Sequence, residues 1–197
     1  MMTRSGHWHI QQIILVTLIG IVCGVVYQYG VNSLYNVCKV LVGPTGLSPF
    51  VDNVFAGLWF IAAPLSIYFV PAIGSATIGE TLAALVEMFL GGQWGALTLA
   101  YGIVQGAGNE FGFFPNNYKT FTWLSCILGA IGAAVLSFIW DYFVSGYNHY
   151  GVVMLLLLLM TRIVSSIILD GVLVKLITLQ FDSVWKKKQR LLSKNRT

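Results

Sequence analysis

Six apolar runs, at about 10–30, 54–70, 76–91, 95–113, 121–144 and 151–180, dominate this chain of 197 residues. Between them stand "VGPTGLSP", "VPAIGS", "GGQWG", "FFPNN" and "SGYNHYG", stretches built from turn-forming Gly, Pro, Asn and Ser. A helix needs about 20 apolar residues to cross roughly 30 Å of hydrocarbon. The pattern therefore predicts an all-α integral membrane protein with six transmembrane helices in one domain, followed by a basic tail over 181–197. The third run is short, and the fourth turns polar towards its end. Only 9% of residues are charged, against roughly 25% in soluble domains, so a dissolved globular fold is excluded.

An even number of spans puts both ends of the chain on one side. That side collects Arg4, Lys119 and the tail "WKKKQRLLSKNR", whereas the opposite connections hold only Lys39. The positive-inside rule makes both termini cytoplasmic in a cell membrane. The first run resembles a signal peptide but continues through Val26 with no small-residue cleavage site, so it reads as a span. No basic face exists outside the tail, which argues against nucleic acid. Cys23, Cys38 and Cys126 are far apart and form no metal-binding spacing, so no metal site is expected. Gly20 and Gly24 have the small-xxx-small spacing that lets helices approach closely. They serve either packing within the bundle or docking of a membrane partner. The outer connections, 37–53 and "SGYNHYG", are long or aromatic enough to close over a pocket.

Ionisable residues inside such runs are costly and mark function. Glu80 and Glu87 are nearly two helical turns apart and share one face of the third span, about 10 Å from each other. Gln105, Asn109 and Glu110 lie on the fourth span, Asp141 on the fifth and Arg162 on the sixth. No Lys or Arg occurs between Val40 and Tyr118, although Asp52, Glu80, Glu87 and Glu110 do. These carboxyls either stay protonated, pair with Arg162, or face a cationic or hydrogen-bonding solute. One arginine offsets one carboxylate, not three. Trp59 lies inside its span and is a candidate pocket ring. Trp94 and Trp140 stand near span ends, where belt anchoring is the ordinary role. No Walker, HExxH or GxSxG motif is present, so neither ATP hydrolysis nor a recognised catalytic site is expected of this chain.

The stretches "GLWFIAAPLSIY", "IGETLAALVEMFLGGQWG", "YGIVQGAGNE" and "SFIWDYFVSGY" resemble, in order and spacing, the YkoE family. Its members are substrate-binding S components of energy-coupling factor (ECF) transporters, and the likeness covers about residues 43–180. It implies an S-component-like bundle of six helices that binds thiamine or its hydroxymethylpyrimidine precursor from outside. It also implies a transmembrane coupling protein (EcfT-like) and two cytosolic ATPases (EcfA-like), with ATP bound by those partners and no cofactor in this chain. Carboxylates suit a thiazolium cation, and Gln, Asn and aromatic groups suit an aminopyrimidine. Glu80, Glu87, Gln105 and Glu110 lead the expected site. Trp59, Asn109, Asp141, Tyr142 and Tyr147 join them, and Gly20 and Gly24 are the expected docking face. A pyridoxine-type ligand stays open, as do the roles of Asp170 and Arg162. A proton-coupled secondary transporter of a small organic cation, or an intramembrane enzyme, are the other classes that fit these residues.

Overall fold

The computed structural model describes residues 8–194, with side chains placed through Gln189. Arg4 and the last residues of the basic tail lie outside the described residues. Six helical runs follow in chain order, and no strand occurs among the described residues. α1 covers Ile10–Thr45 and α2 Ser48–Phe69. α3 covers Ser75–Phe89, α4 Leu97–Phe113 and α5 Trp123–Val144. α6 starts at Val152 and continues through Leu173–Lys194.

Four of the six, α1, α2, α5 and the segment Val152–Gln189 of α6, are long and apolar enough to cross a membrane alone. α3 and α4 have 15 and 17 residues, about 22 and 25 Å at 1.5 Å per residue. Both fall short of the hydrocarbon thickness, as expected of the third run but not of the fourth, which spans 95–113 as an apolar run and is helical only from Leu97 to Phe113. Their hairpin packs between α1 and α2 on the α3 side and α5 on the α4 side, and Ile78, Phe89, Leu97, Ile103 and Phe111 stay exposed on its outer face.

The stretch read as a long outer loop, 37–53, is almost wholly helical. α1 runs on to Thr45, Gly46 takes the left-handed conformation (φ 74°), and α2 begins at Ser48. Gly46 is a helix-ending residue and Pro49 sits in a first turn, where no intrahelical N–H is needed. The turn-forming residues thus mark two abutting helix ends rather than a flexible loop. The basic tail likewise continues α6 as helix to Lys194.

Two helices widen locally. In α1 the buried residues include the series Val16, Gly20, Cys23, Tyr27, Val31 and Tyr35. Their steps exceed on average the 3.6-residue turn, and a π-helical stretch, Tyr27–Val31, absorbs the excess. In α6 Arg162, Ser166, Asp170, Val174 and Thr178 are all buried and recur every four residues. The π-helical stretch Ile167–Val172 keeps them facing inward.

Glycines let α4 sit between α3 and α5 almost backbone to backbone. A Cβ on Gly106 would stand 2.6 Å from Cα of Thr77 on α3, and one on Gly112 would stand 2.2 Å from the Ser125 carbonyl on α5. Gly20 and Gly24 are used in the same manner. Cβ atoms there would meet Leu82 Cβ at 2.6 Å and the Ala83 carbonyl at 2.5 Å on α3. The docking role expected of this pair is therefore corrected: both glycines face the inside of the bundle.

Gly112→Ala should lower stability in detergent by about 1–3 kcal/mol, because the methyl has no space to enter. Gly43→Ala should not, since nothing lies within 4 Å of its Cβ position. Thermal unfolding of both variants checks the contrast; equal melting temperatures would contradict it.

Candidate functional site

All six helices contribute to one cavity of about 340 Å³. Of the expected residues, Glu80, Glu87, Trp59, Gln105, Asp141 and Tyr147 line it. Glu110, Asn109 and Tyr142 do not.

Glu80 is 1% exposed. Its Oε2 accepts from the Ala63 N–H at 2.9 Å and from the Tyr27 hydroxyl at 3.3 Å. The Tyr27 oxygen in turn accepts from the Ala62 N–H at 2.8 Å. These amides are available for a local reason. α2 passes through a 3₁₀ stretch, Ala56–Phe60, before its last segment starts at Ala62. The first amides of that segment are left for side chains.

Glu87 accepts at Oε1 from Asn32 Nδ2 at 2.8 Å. The Trp59 indole N–H is turned towards it without completing a hydrogen bond. Trp59, Trp94 and Tyr35 form an aromatic cluster beside it, with centroids 5.2–5.7 Å apart and mostly edge to face. Trp94, read from the sequence as a belt anchor, thus belongs to the cavity wall.

Arg162 does not serve either glutamate. Its guanidinium donates to Asp141 Oδ2 at 2.5 Å, to Asn53 Oδ1 at 2.8 Å and to Ser137 Oγ at 3.2 Å. Asp141 also accepts from the Tyr101 and Ser145 hydroxyls. Arg162 lies over the rings of Phe138 and Tyr147, 5.3 and 5.9 Å from their centroids. Tyr147, in the connection between α5 and α6, accepts at its hydroxyl from Asn53 Nδ2 at 3.0 Å, and burial lifts its phenol to about 12.

At the rim, Lys39 pairs with Asp52 at 2.6 Å, and the Tyr35 hydroxyl donates to the same carboxylate at 2.6 Å. Two acids of the wall therefore have cations, Asp52 and Asp141. The other two, Glu80 and Glu87, have only neutral donors among the described residues.

Three expected site residues have other work. Glu110 accepts from the Ala76 and Thr77 amides, at 2.9 and 3.2 Å, and from the Tyr118 hydroxyl. It satisfies two free amides at the α3 N-terminus, where a negative charge is favoured. Asn109 is fully buried and donates to Asp170 at 3.2 Å. Tyr142 points outward and packs edge to face on Phe143.

Sequence reasoning missed Tyr27, Tyr35, Lys39, Asp52, Trp94 and Tyr101 as wall residues. The four-residue recurrence along α1 was the available signal for Tyr27 and Tyr35. Lys39 and Asp52 were hidden by the loop reading of their segment.

The profile of a family described as "ABC-type cobalt transport system, permease component" matches residues 11–136. A Bacillus subtilis protein, YkoE, named as an HMP/thiamine permease protein, is 35% identical over 171 residues, 87% of this chain and 83% of that one. The Saccharomyces cerevisiae aminotriazole resistance protein is 25% identical over 177 residues, and this chain spans 32% of it. A crystal structure of an S component of an ECF transporter superposes with a TM-score of 0.81 at 32% identity, covering 96% of this chain and 98% of that one.

Arg162→Met should destabilise the protein by about 3–5 kcal/mol, since Asp141 would stay buried without its cation. Adding Asp141→Leu should recover part of the loss. Thermal unfolding of the single and double variants checks this; a double variant less stable than the single one would contradict it.

Proposed function

The chain belongs to the YkoE family of S components of ECF transporters, and on that premise we propose that it captures thiamine or its hydroxymethylpyrimidine precursor for ATP-driven import. A vitamin-type substrate-binding role is supported by the likeness to the Bacillus subtilis HMP/thiamine permease protein and to an ECF S component. The specific ligand rests on the wall of the cavity. One observation carries it: Glu80 and Glu87 are buried with no cation, beside the cluster of Tyr35, Trp59 and Trp94.

Charge on two desolvated acids of one wall is self-repelling, and a positively charged or amine-bearing guest favours their ionised forms. Glu87 then accepts from an exocyclic amine or opposes a thiazolium. The three rings supply stacking and cation–π attraction, about 0.5–2 kcal/mol per well-placed contact. Gln105 can donate and accept, as a pyrimidine ring nitrogen and its amine require. The volume falls at the small end of the roughly 300–1,000 Å³ typical of ligand pockets, in keeping with a single small vitamin. Lys39, Asp52, Tyr147 and Tyr150 stand on the outer rim in this reading, and Lys119 and the basic end of α6 face the cytoplasm with both termini.

S components work with a transmembrane module and ATPases. For this chain we expect one EcfT-like coupling protein and two EcfA-like ATPases, whose ATP hydrolysis drives reorientation and release inside. A permanently charged ligand does not cross hydrocarbon unaided, which is why binding must be followed by such a movement. Uptake by the isolated chain in liposomes, driven by a proton gradient without ATPases, would overturn this mechanism in favour of a secondary transporter.

Tryptophan-fluorescence titration of purified protein with thiamine, hydroxymethylpyrimidine and pyridoxine is the direct test. Glu87→Gln should weaken the preferred ligand by about 10- to 100-fold, the worth of a charge-assisted hydrogen bond of roughly 1.5–3 kcal/mol. Tyr142→Phe should leave affinity unchanged. Equal affinity of Glu87→Gln and the parent would remove this glutamate from the site.

A further inference from the structure

Asp170 is the buried acid that the ligand cavity does not use. It is 0% exposed and is placed by the π-helical stretch Ile167–Val172 of α6. Asn109 of α4, also 0% exposed, donates its Nδ2 to Asp170 Oδ2 at 3.2 Å. The remaining oxygens of both side chains, Asp170 Oδ1 and Asn109 Oδ1, are buried and have no hydrogen-bond partner among the described residues.

Two acceptors left over from one carboxyl–amide contact are a donor deficit of one hydrogen. A carboxylic acid facing a primary amide closes a two-bond ring: the amide N–H donates to one carboxyl oxygen and the acid O–H donates to the amide oxygen. The structure holds the first arm; the second requires one proton on Asp170 Oδ1, donated to Asn109 Oδ1. An ionised Asp170 would instead leave a buried charge with a single long hydrogen bond from a neutral group.

Among the described residues, the surrounding elements offer no compensating cation. α3 presents Glu80, α1 presents Tyr27 and α5 presents Cys126 within electrostatic reach of Asp170. The α2 stretch Ala56–Phe60 contributes no titratable group. On α6 itself, Lys175 is engaged elsewhere: its Nζ donates to the Phe121 carbonyl at 2.5 Å and lies over the Phe121 ring.

We propose that Asp170 is a proton-binding site, neutral in this conformation, and that the protonated acid–amide pair it forms with Asn109 pins α6 to α4 behind the ligand cavity. The pair is a positioning device, not a ligand contact. A movement that separates α6 from α4 breaks both arms and frees the carboxyl to ionise, so the closed arrangement takes up a proton relative to the separated one.

Infrared difference spectroscopy of the purified full chain, parent minus Asp170→Asn, tests the proton directly. A protonated-carboxyl C=O band should be lost in Asp170→Asn and should persist in Glu80→Gln. Thermal unfolding and ligand titration supply the second readout. An amide at 170 still offers one donor and one acceptor to Asn109, so Asp170→Asn should fold, melt close to the parent and bind ligand within about twofold of it. Asp170→Leu strands the Asn109 amide and should melt several degrees lower. The proposal is overturned by no Asp170-dependent carboxyl band, by a melting temperature that follows sodium concentration instead, or by Asp170→Asn failing to fold or losing ligand affinity as Glu87→Gln is expected to.

Discussion

The ion pair between Arg162 and Asp141 decides the electrostatics of the whole bundle. A guanidinium placed in a low-dielectric interior can neutralise one carboxylate at hydrogen-bond distance. Here it is held on Asp141 by further bonds to Asn53 and Ser137 and by two aromatic rings. With that cation spent, and Lys39 spent on Asp52 at the rim, the carboxyls of α3 face the cavity with tyrosine, asparagine and backbone donors alone. Those donors orient the acids without supplying a countercharge, and the proposed affinity for an electron-poor guest rests on that arrangement.

The positioning of these groups comes from small departures from ideal helix. A π-helical widening brings Tyr27 onto Glu80, and another brings Asp170 onto Asn109. A 3₁₀ stretch in α2 leaves two amides for Tyr27 and Glu80. Glycines then allow the short polar hairpin of α3 and α4 to pack almost backbone to backbone with α1 on one side and α5 on the other. Each device sits beside a polar group that a lipid-facing helix could not carry.

Much of this was visible in the residues themselves. Six helical runs and the acidic pair seven residues apart follow from hydropathy and helical geometry. So does the excess of carboxylates over cations. The cavity position of Trp59 followed from its depth in a span. What failed did so for tertiary reasons. Gly46 and Pro49 end one helix and begin the next within a few residues, and a pattern reading cannot tell that from a loop. Glu110 and Asn109 are polar and within a span, as a ligand-binding residue would be. Only the packing of α3 and α6 of the same chain against them shows that one caps a helix and the other pairs with an acid. Tyr142 sits one residue from Asp141, but consecutive helical residues point about 100° apart, so a shared motif did not mean a shared face.

The claim that uncompensated acids select a cation is tested most directly with two ligands matched in shape and different in charge. Dissociation constants for thiamine and for an analogue whose thiazolium is replaced by a neutral five-membered ring should be measured on the same purified protein. The account predicts that the cation binds at least about tenfold tighter, a difference of roughly 1.4 kcal/mol. Equal affinity for the charged and the neutral ligand would contradict it.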